Sequence, residues 1–221
     1  MKRLATHVPS ATVLLTGFDA FGGEAINPSW LVAQALHGEI LQGHLVVAAQ
    51  LPTEFAASGT RLADLLGQHQ PALVMCIGLA GGRANLSLER VAINIQDARI
   101  ADNIGAQPID VRVVESGPAA YFSTLPIKAM LQALTTANIP AEVSQTAGTF
   151  VCNHLFYSLM HLLKKQHGIG KTRGGFVHVP YLPEQGFPYM TLEHMVQGLR
   201  SAINCALSTS DDNSLGAGAL S

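Results

Sequence analysis

Three residues of this 221-residue chain have types and settings suited to nucleophilic catalysis: Cys152, His178 and Glu89. Cys152 stands in "TAGTFVCNHLFYSLMHLL" (146–163), where a small, bendable segment gives way to helical spacing. Leu155, Phe156, Leu159, Leu162 and Leu163 form an apolar stripe, which puts Cys152 on the inward face in the first turn. A helix N-terminus stabilises an anion, and in such settings a thiol falls from about 8.5 to roughly 3.5–7.5. The position suits a nucleophile if it opens to a pocket. Packing is the other reading, because cysteine is among the most buried residue types. A metal site with the neighbouring His154 fails on spacing: His154 and His161 lie too far apart for an i, i+4 zinc pair, and no Cys-x-x-Cys is present.

His178 lies in "GGFVHVPYLPEQ", near the end of a strand that Pro180 must terminate or push to an edge. There a neutral imidazole can reach a site beyond the strand and act as a base; an ordinary hydrogen-bonded histidine is the alternative. Glu89, in "SLERVAINI", is expected to share a strand face with Val91, Ile93 and Ile95 by the two-residue period. A buried carboxylate needs a partner. A carboxylate–imidazole–thiol chain would satisfy it, and so would an ion pair with Arg90 or Arg99. Phe18 and Phe21 flank a turn after the first strand, where they can wall a small flat ligand or pack the core. Cys76, inside "LVMCIG", and Cys205, in the last helix, read as core residues.

The elements that must position these groups alternate. "ATVLLTGF" reads as a buried strand, "PSWLVAQALHG" as a helix opened by Pro28, "HLVVAAQLP" as a strand and "EFAASGTRLADLLGQH" as a helix. "PALVMCIGLAGG" has the short apolar run of a central strand, and "LERVAINIQ" alternates as one strand. A long irregular stretch follows, roughly 97–120, of the kind that is often functional or involved in assembly. Then come the helix "PIKAMLQALTTAN", the strand "AEVSQ", a helix over 152–165, the strand "GGFVHVP" and the helix "MTLEHMVQGLRSAINCAL". This alternation implies an α/β fold: one domain over 11–207, with a largely parallel sheet covered on both faces and its chemistry beyond the strand ends. Residues 1–10 read as an N-terminal extension and 208–221 as a disordered polar tail.

Composition narrows the function classes. A formal net charge of −2, without clustered Lys or Arg, argues against nucleic-acid binding. No apolar window approaches the roughly 18 residues of a membrane span, and the first residues lack a signal-peptide core. Three scattered cysteines are no disulfide framework, which suggests a reducing cytoplasm. Apolar residues make up 48% of the chain and charged residues 13%, a balance that hints at oligomerisation. The glycine-rich "GFDAFGG" and "GLAGGR" match neither a dinucleotide nor a phosphate-loop pattern.

Several motifs taken together resemble one family over nearly the whole chain: "VLLTGFDAFGGEAINPSW", "GLAGGRANLSLERVAINIQDARI", "GPAAYFSTLPIKAM", "SQTAGTFVCNHLFYSLMH" and "GGFVHVPYLPEQ". The family is the pyrrolidone-carboxylate peptidases, or pyroglutamyl-peptidases type I. The resemblance implies a cytoplasmic cysteine peptidase without metal or cofactor, which removes N-terminal pyroglutamate from peptides. It also implies an α/β/α sandwich assembled as a homotetramer. Carried over by motif, the nucleophile falls on Cys152, the base on His178 and the carboxylate on Glu89. The pyrrolidone-ring pocket falls on Phe18 and Phe21, with Phe150 and Val151 as further walls, and Arg99 matches an arginine near the oxyanion region. One departure is that members often read "GQAGGR" where this chain has "GLAGGR", so Leu79 stands in place of a glutamine. Two other readings are a phosphorylase-like α/β enzyme and a weakened, ligand-binding or thiol-sensing homologue.

Overall fold

The computed structural model describes residues 11–165 and 171–218; the expected extension over 1–10 and the last three residues of the tail lie outside them. In chain order the first half runs β1 (Ala11–Phe18), α1 (Pro28–Leu36), β2 (Ile40–Leu41), β3 (His44–Leu51), α2 (Phe55–His69), β4 (Leu73–Leu79), β5 (Leu86–Glu89) and β6 (Val91–Ile93). The second half runs β7 (Ala120–Phe122), α3 (Ile127–Thr136), β8 (Ala141–Ser144), α4 (Val151–Lys165), β9 (Arg173–Val179) and α5 (Leu192–Ser208). Seven strands form one sheet in the order β2-β3-β1-β4-β9-β5-β8, and β6 pairs with β7 apart from it. β3, β1, β4 and β9 are mutually parallel. β5 runs antiparallel to β9 and parallel to β8, so the sheet is mixed but largely parallel.

Two apolar clusters sandwich this sheet, and the two-residue strand period assigns each side chain to one of them. Val13, Leu15, Met75, Ile77, Leu86, Leu88, Val177 and Val179 pack with α1, α3 and α5. Leu14, Val74, Cys76 and Phe176 pack with α2 and α4. By the same alternation Gly78, Ser87, Glu89 and His178 point to the α2/α4 side. Close approach has a sequence cause at Gly17, where an added Cβ would overlap the Ser29 carbonyl and Trp30 Cα. β1 therefore passes directly under α1, whose N-terminus is capped by Asn27 accepting from Ser29 N at 3.1 Å.

Two local expectations change, and one element is new. "LERVAINIQ" is not one strand: it breaks at Arg90, whose N–H donates to Ser144 O and whose carbonyl accepts from Ser123 N. Glu89 therefore faces with Ser87 in the main sheet, and Val91 and Ile93 belong to the small one. The hairpin β2–β3 arises from a Gln42-Gly43 turn with φ of 47° and 76°, the left-handed pair that short hairpins need. Finally, part of the tail expected to be disordered makes defined contacts. Asp212 accepts from Ala129 N at 2.9 Å and caps α3, which has no side-chain cap of its own. Ala217 O accepts from Arg90 Nη2 at 3.2 Å.

Between 97 and 119 the chain forms neither helix nor strand, yet it is pinned. The buried Asp102 carboxylate accepts from Ile104 N, from Ala106 N and from Phe55 N at the start of α2. α2 and α4 meet around His154, whose Nδ1 lies 3.0 Å from Gln96 Oε1 and whose ring abuts Phe55 edge-on. Burial pushes the His154 pKa down to about 4.

Two predictions follow from this packing. Gly17→Ala should lower the urea midpoint without loss of secondary structure, at about 1–3 kcal/mol for an overpacked contact. His154 is charged in the unfolded chain below its ordinary value but stays neutral in the fold, so its contribution to stability is present above about 6.5 and lost as pH falls toward about 4. His154→Gln should flatten the urea midpoint against pH across that window; an unchanged slope would show that other groups cause the acid lability.

Candidate active site

Glu89, His178 and Cys152 arrive from three elements on one side of the sheet. Register pairs Ser87 with His178, which leaves Glu89 diagonally next to the histidine on the α2/α4 face. Its Oε1 lies 2.7 Å from His178 Nδ1, and both side chains are buried. A carboxylate oxygen can only accept, so Nδ1 carries the proton and Nε2 is the nitrogen left for proton exchange. Phe176, two residues earlier on the same face, lies against the imidazole with ring centroids 4.8 Å apart.

Cys152 is the second residue of α4, half-buried at the helix N-terminus. Gly78 is directly opposite His178 across the β4–β9 pairing. A Cβ added at Gly78 would sit 2.9 Å from Cys152 Sγ and 2.8 Å from Phe176 Cζ. The missing side chain leaves room for the thiol over the sheet, at the strand position opposite His178. The next residue, Asn153, anchors the helix start: its side chain accepts from Ile93 N and donates to Ile93 O and Ile95 O. Burial first, then the Glu89 charge, push the Cys152 thiol up to about 12, with Arg83 opposing. The expected depression at the helix N-terminus is therefore outweighed by desolvation, and the resting group is a thiol that needs a base.

Beside the sulfur lies a small pocket lined by Phe18, Phe21, Asn27, Thr53, Leu79, Phe150, Val151 and Cys152. It opens where the chain leaves β1, β3 and β4 toward opposite sides, at the sheet's switch point. Phe150 stands edge-on to Phe55 and tilted over Phe21, with centroids 5.3 Å and 6.2 Å away. No lining side chain is charged. A roomier hollow around Arg90, Phe122, Ser123 and Asp212 contains none of the three reactive groups.

The structure thus brings together Glu89, His178 and Cys152, with Phe18, Phe21, Phe150 and Val151 on the pocket wall. Arg99 is exposed on the 97–119 loop, and neither it nor Arg90 pairs with Glu89. That partner is Arg83, with Nη1 2.7 Å from the same Oε1 that holds His178. Nothing in the pattern of "GLAGGR" marks its arginine as that partner. Asn27 and Thr53 were also missed, although an Asn before Pro28 is a readable helix cap. Among the described residues no group of His, Cys, Asp and Glu has the form of a metal site.

A thiol at a helix start, an imidazole held by a buried carboxylate and an uncharged pocket on a mixed α/β sheet define a cysteine hydrolase. Residues 11–209 match the family model described as pyroglutamyl peptidase. A pyrrolidone-carboxylate peptidase of Cupriavidus taiwanensis is 58% identical over 206 residues, covering 91% of this chain and 95% of that protein. One from Bacillus cereus is 55% identical over 197 residues, covering 87% and 91%. Among solved structures, pyroglutamyl peptidase I from Bacillus amyloliquefaciens superposes with a TM-score of 0.90 at 45% identity, covering 93% of this chain and 99% of that one. Pyrrolidone carboxyl peptidase from Thermococcus litoralis gives 0.89 at 33% identity with the same coverage. The chain belongs to the pyroglutamyl peptidase family.

The close approach at Gly78 supplies a direct check. Gly78→Ala should push the sulfur off the sheet and slow alkylation of Cys152 by iodoacetamide by about tenfold or more, as expected when a reacting atom moves by a fraction of an ångström. An unchanged alkylation rate would mean that the thiol is not set by this contact.

Proposed function

We propose that Cys152, His178 and Glu89 perform the hydrolysis by which this cysteine peptidase removes N-terminal pyroglutamate from peptides. The observation that carries the assignment is the buried 2.7 Å pairing of Glu89 with His178 Nδ1, on the face where the Cys152 sulfur meets the pocket. Glu89 fixes the tautomer, and His178 Nε2 takes the thiol proton as the sulfur attacks the pyroglutamyl carbonyl. The oxyanion of the tetrahedral intermediate faces the start of α4, whose free backbone N–H groups are suited to donate to it. As the C–N bond breaks, the imidazolium protonates the departing amine. Water, deprotonated by the same nitrogen, then cleaves the thioester and releases pyroglutamate. No step uses a metal or cofactor.

The ring pocket fits this substrate by what its walls omit. A lactam carries no N-terminal ammonium, so aromatic and aliphatic walls with the neutral polar groups of Asn27 and Thr53 suffice to seat it. Leu79 lies on that wall, so the glutamine-to-leucine difference falls where the ring is bound. Arg99, exposed on its loop, gains no support for a role at the oxyanion.

We also place the protein in the cytoplasm as a homotetramer, as the resemblance implies. Cys76, Cys152 and Cys205 are free thiols, which a reducing compartment preserves. The exposed Ile100, Ile104, Ile109 and Val111 of the 97–119 loop offer apolar surface for self-association. A monomeric mass by light scattering would remove that part of the reading.

The decisive test is release of a fluorophore from a pyroglutamyl amide. Cys152→Ala and His178→Ala should abolish it, Glu89→Gln should lower kcat by at least about 100-fold, and Cys76→Ala and Cys205→Ala should retain it. Turnover by the Cys152→Ala protein would sink the assignment. Strict phosphate dependence would favour a phosphorylase.

A further inference from the structure

Arg83 belongs to none of the roles above, yet it reaches the buried carboxylate and the turn that leads to Cys152. It leaves the turn after β4, four residues beyond the pocket-lining Leu79, and reaches Glu89 Oε1 with Nη1 at 2.7 Å. The same Nη1 lies 3.4 Å from Ser144 Oγ, and Nη2 donates to Thr146 O at 3.1 Å. Thr146 begins the turn that enters α4 and delivers Cys152. Ser144 stiffens that turn, donating from Oγ to Thr146 O and accepting from Thr146 N. One planar guanidinium therefore joins the pocket loop, the buried carboxylate and the approach to the nucleophile's helix.

Its charge has a second consequence. Glu89 is wholly buried, and its Oε2 finds no hydrogen-bond partner among the described residues. A carboxylate so placed is costly to keep ionised without a counter-charge. Arg83 and His178 Nδ1 both bind Oε1, so the arginine offsets the negative charge that the imidazole would otherwise face alone. The titratable groups that act on the sulfur from neighbouring elements are Glu89 from β5, Arg83 from the β4–β5 turn and Cys76 from β4. Of these, Glu89 raises the thiol and Arg83 lowers it.

We propose that Arg83 is a positioning residue for the hydrolysis: its guanidinium fork holds the Glu89 carboxylate oriented on His178 while fixing the turn that leads to Cys152. The proposal rests on the assignment of those three residues to catalysis. A lysine at this position would keep the charge but could not bond Glu89 Oε1 and Thr146 O from one rigid plane.

The test uses Arg83→Met and Arg83→Lys beside the wild-type protein, with a pyroglutamyl amide as substrate and iodoacetamide as a separate probe of Cys152. Arg83→Met should lower kcat by about 100-fold with KM within about threefold, as for loss of alignment rather than of substrate binding. The pH midpoint of its alkylation should move upward, and added guanidinium chloride at low millimolar concentration should recover part of kcat. Arg83→Lys should fall between, with an alkylation midpoint close to wild type. Wild-type kcat and an unmoved alkylation midpoint in both variants would overturn the proposal, as would a loss confined to KM. If Arg83→Met fails to fold, Arg83→Lys decides alone, because full kcat there removes the need for the fork. An inactive wild-type protein would instead strike the underlying functional reading, and the alkylation midpoints would still report on Arg83.

Discussion

Everything at this site depends on keeping one ionised carboxylate where water cannot reach it. Glu89 sits wholly buried in the main sheet with an apolar neighbour before it and a helix layer above, surroundings in which a charge needs partners. Two cationic or proton-donating partners make the charge tolerable: His178 from the adjacent antiparallel strand and Arg83 from a turn. The consequence is structural as well as chemical. β5 ends at the paired carboxylate, the chain turns at Arg90, and the following strand belongs to a separate small sheet.

The thiol shows why this charge matters. A helix N-terminus tends to stabilise a thiolate, but the same site removes the sulfur from water and sets a carboxylate near it, and desolvation wins. In the proposed mechanism the resting thiol is neutral, and its activation falls to an imidazole whose tautomer is already fixed. Such a site keeps its reactivity latent until an acyl group arrives, because the base and the electrophile must be present together. Cys76, also pushed up to about 12 by burial but inside a central strand, has the same chemistry with no pocket and no base.

Much of this was readable in the residues themselves. Cys152 could be placed at the start of a helix because leucines repeat with helical spacing after it, and alternating apolar runs gave the layered fold. What escaped was set by contacts distant in sequence. The break after Glu89 comes from Ser144 and Ser123, which bond the Arg90 backbone. The cap of α3 comes from Asp212, 84 residues from Lys128 along the chain. Arg83 was hidden because nothing local says that a turn residue will reach back to a strand end. The ion pair on Glu89 was foreseen in kind, but its partner was sought at Arg90 and Arg99, the arginines that follow it.

The antiparallel pairing of β5 with β9 has one more implication. These two short strands meet through Ser87–His178 and Leu88–Val177, and alternation alone decides which side Glu89 faces. A slip of one residue would turn the carboxylate under α1, α3 and α5 and put a leucine beside the imidazole. Most of the sheet would be untouched by such an error. Specific activity is thus also a measure of pairing at this single seam, since a misregistered chain would lack the Glu89–His178 bond.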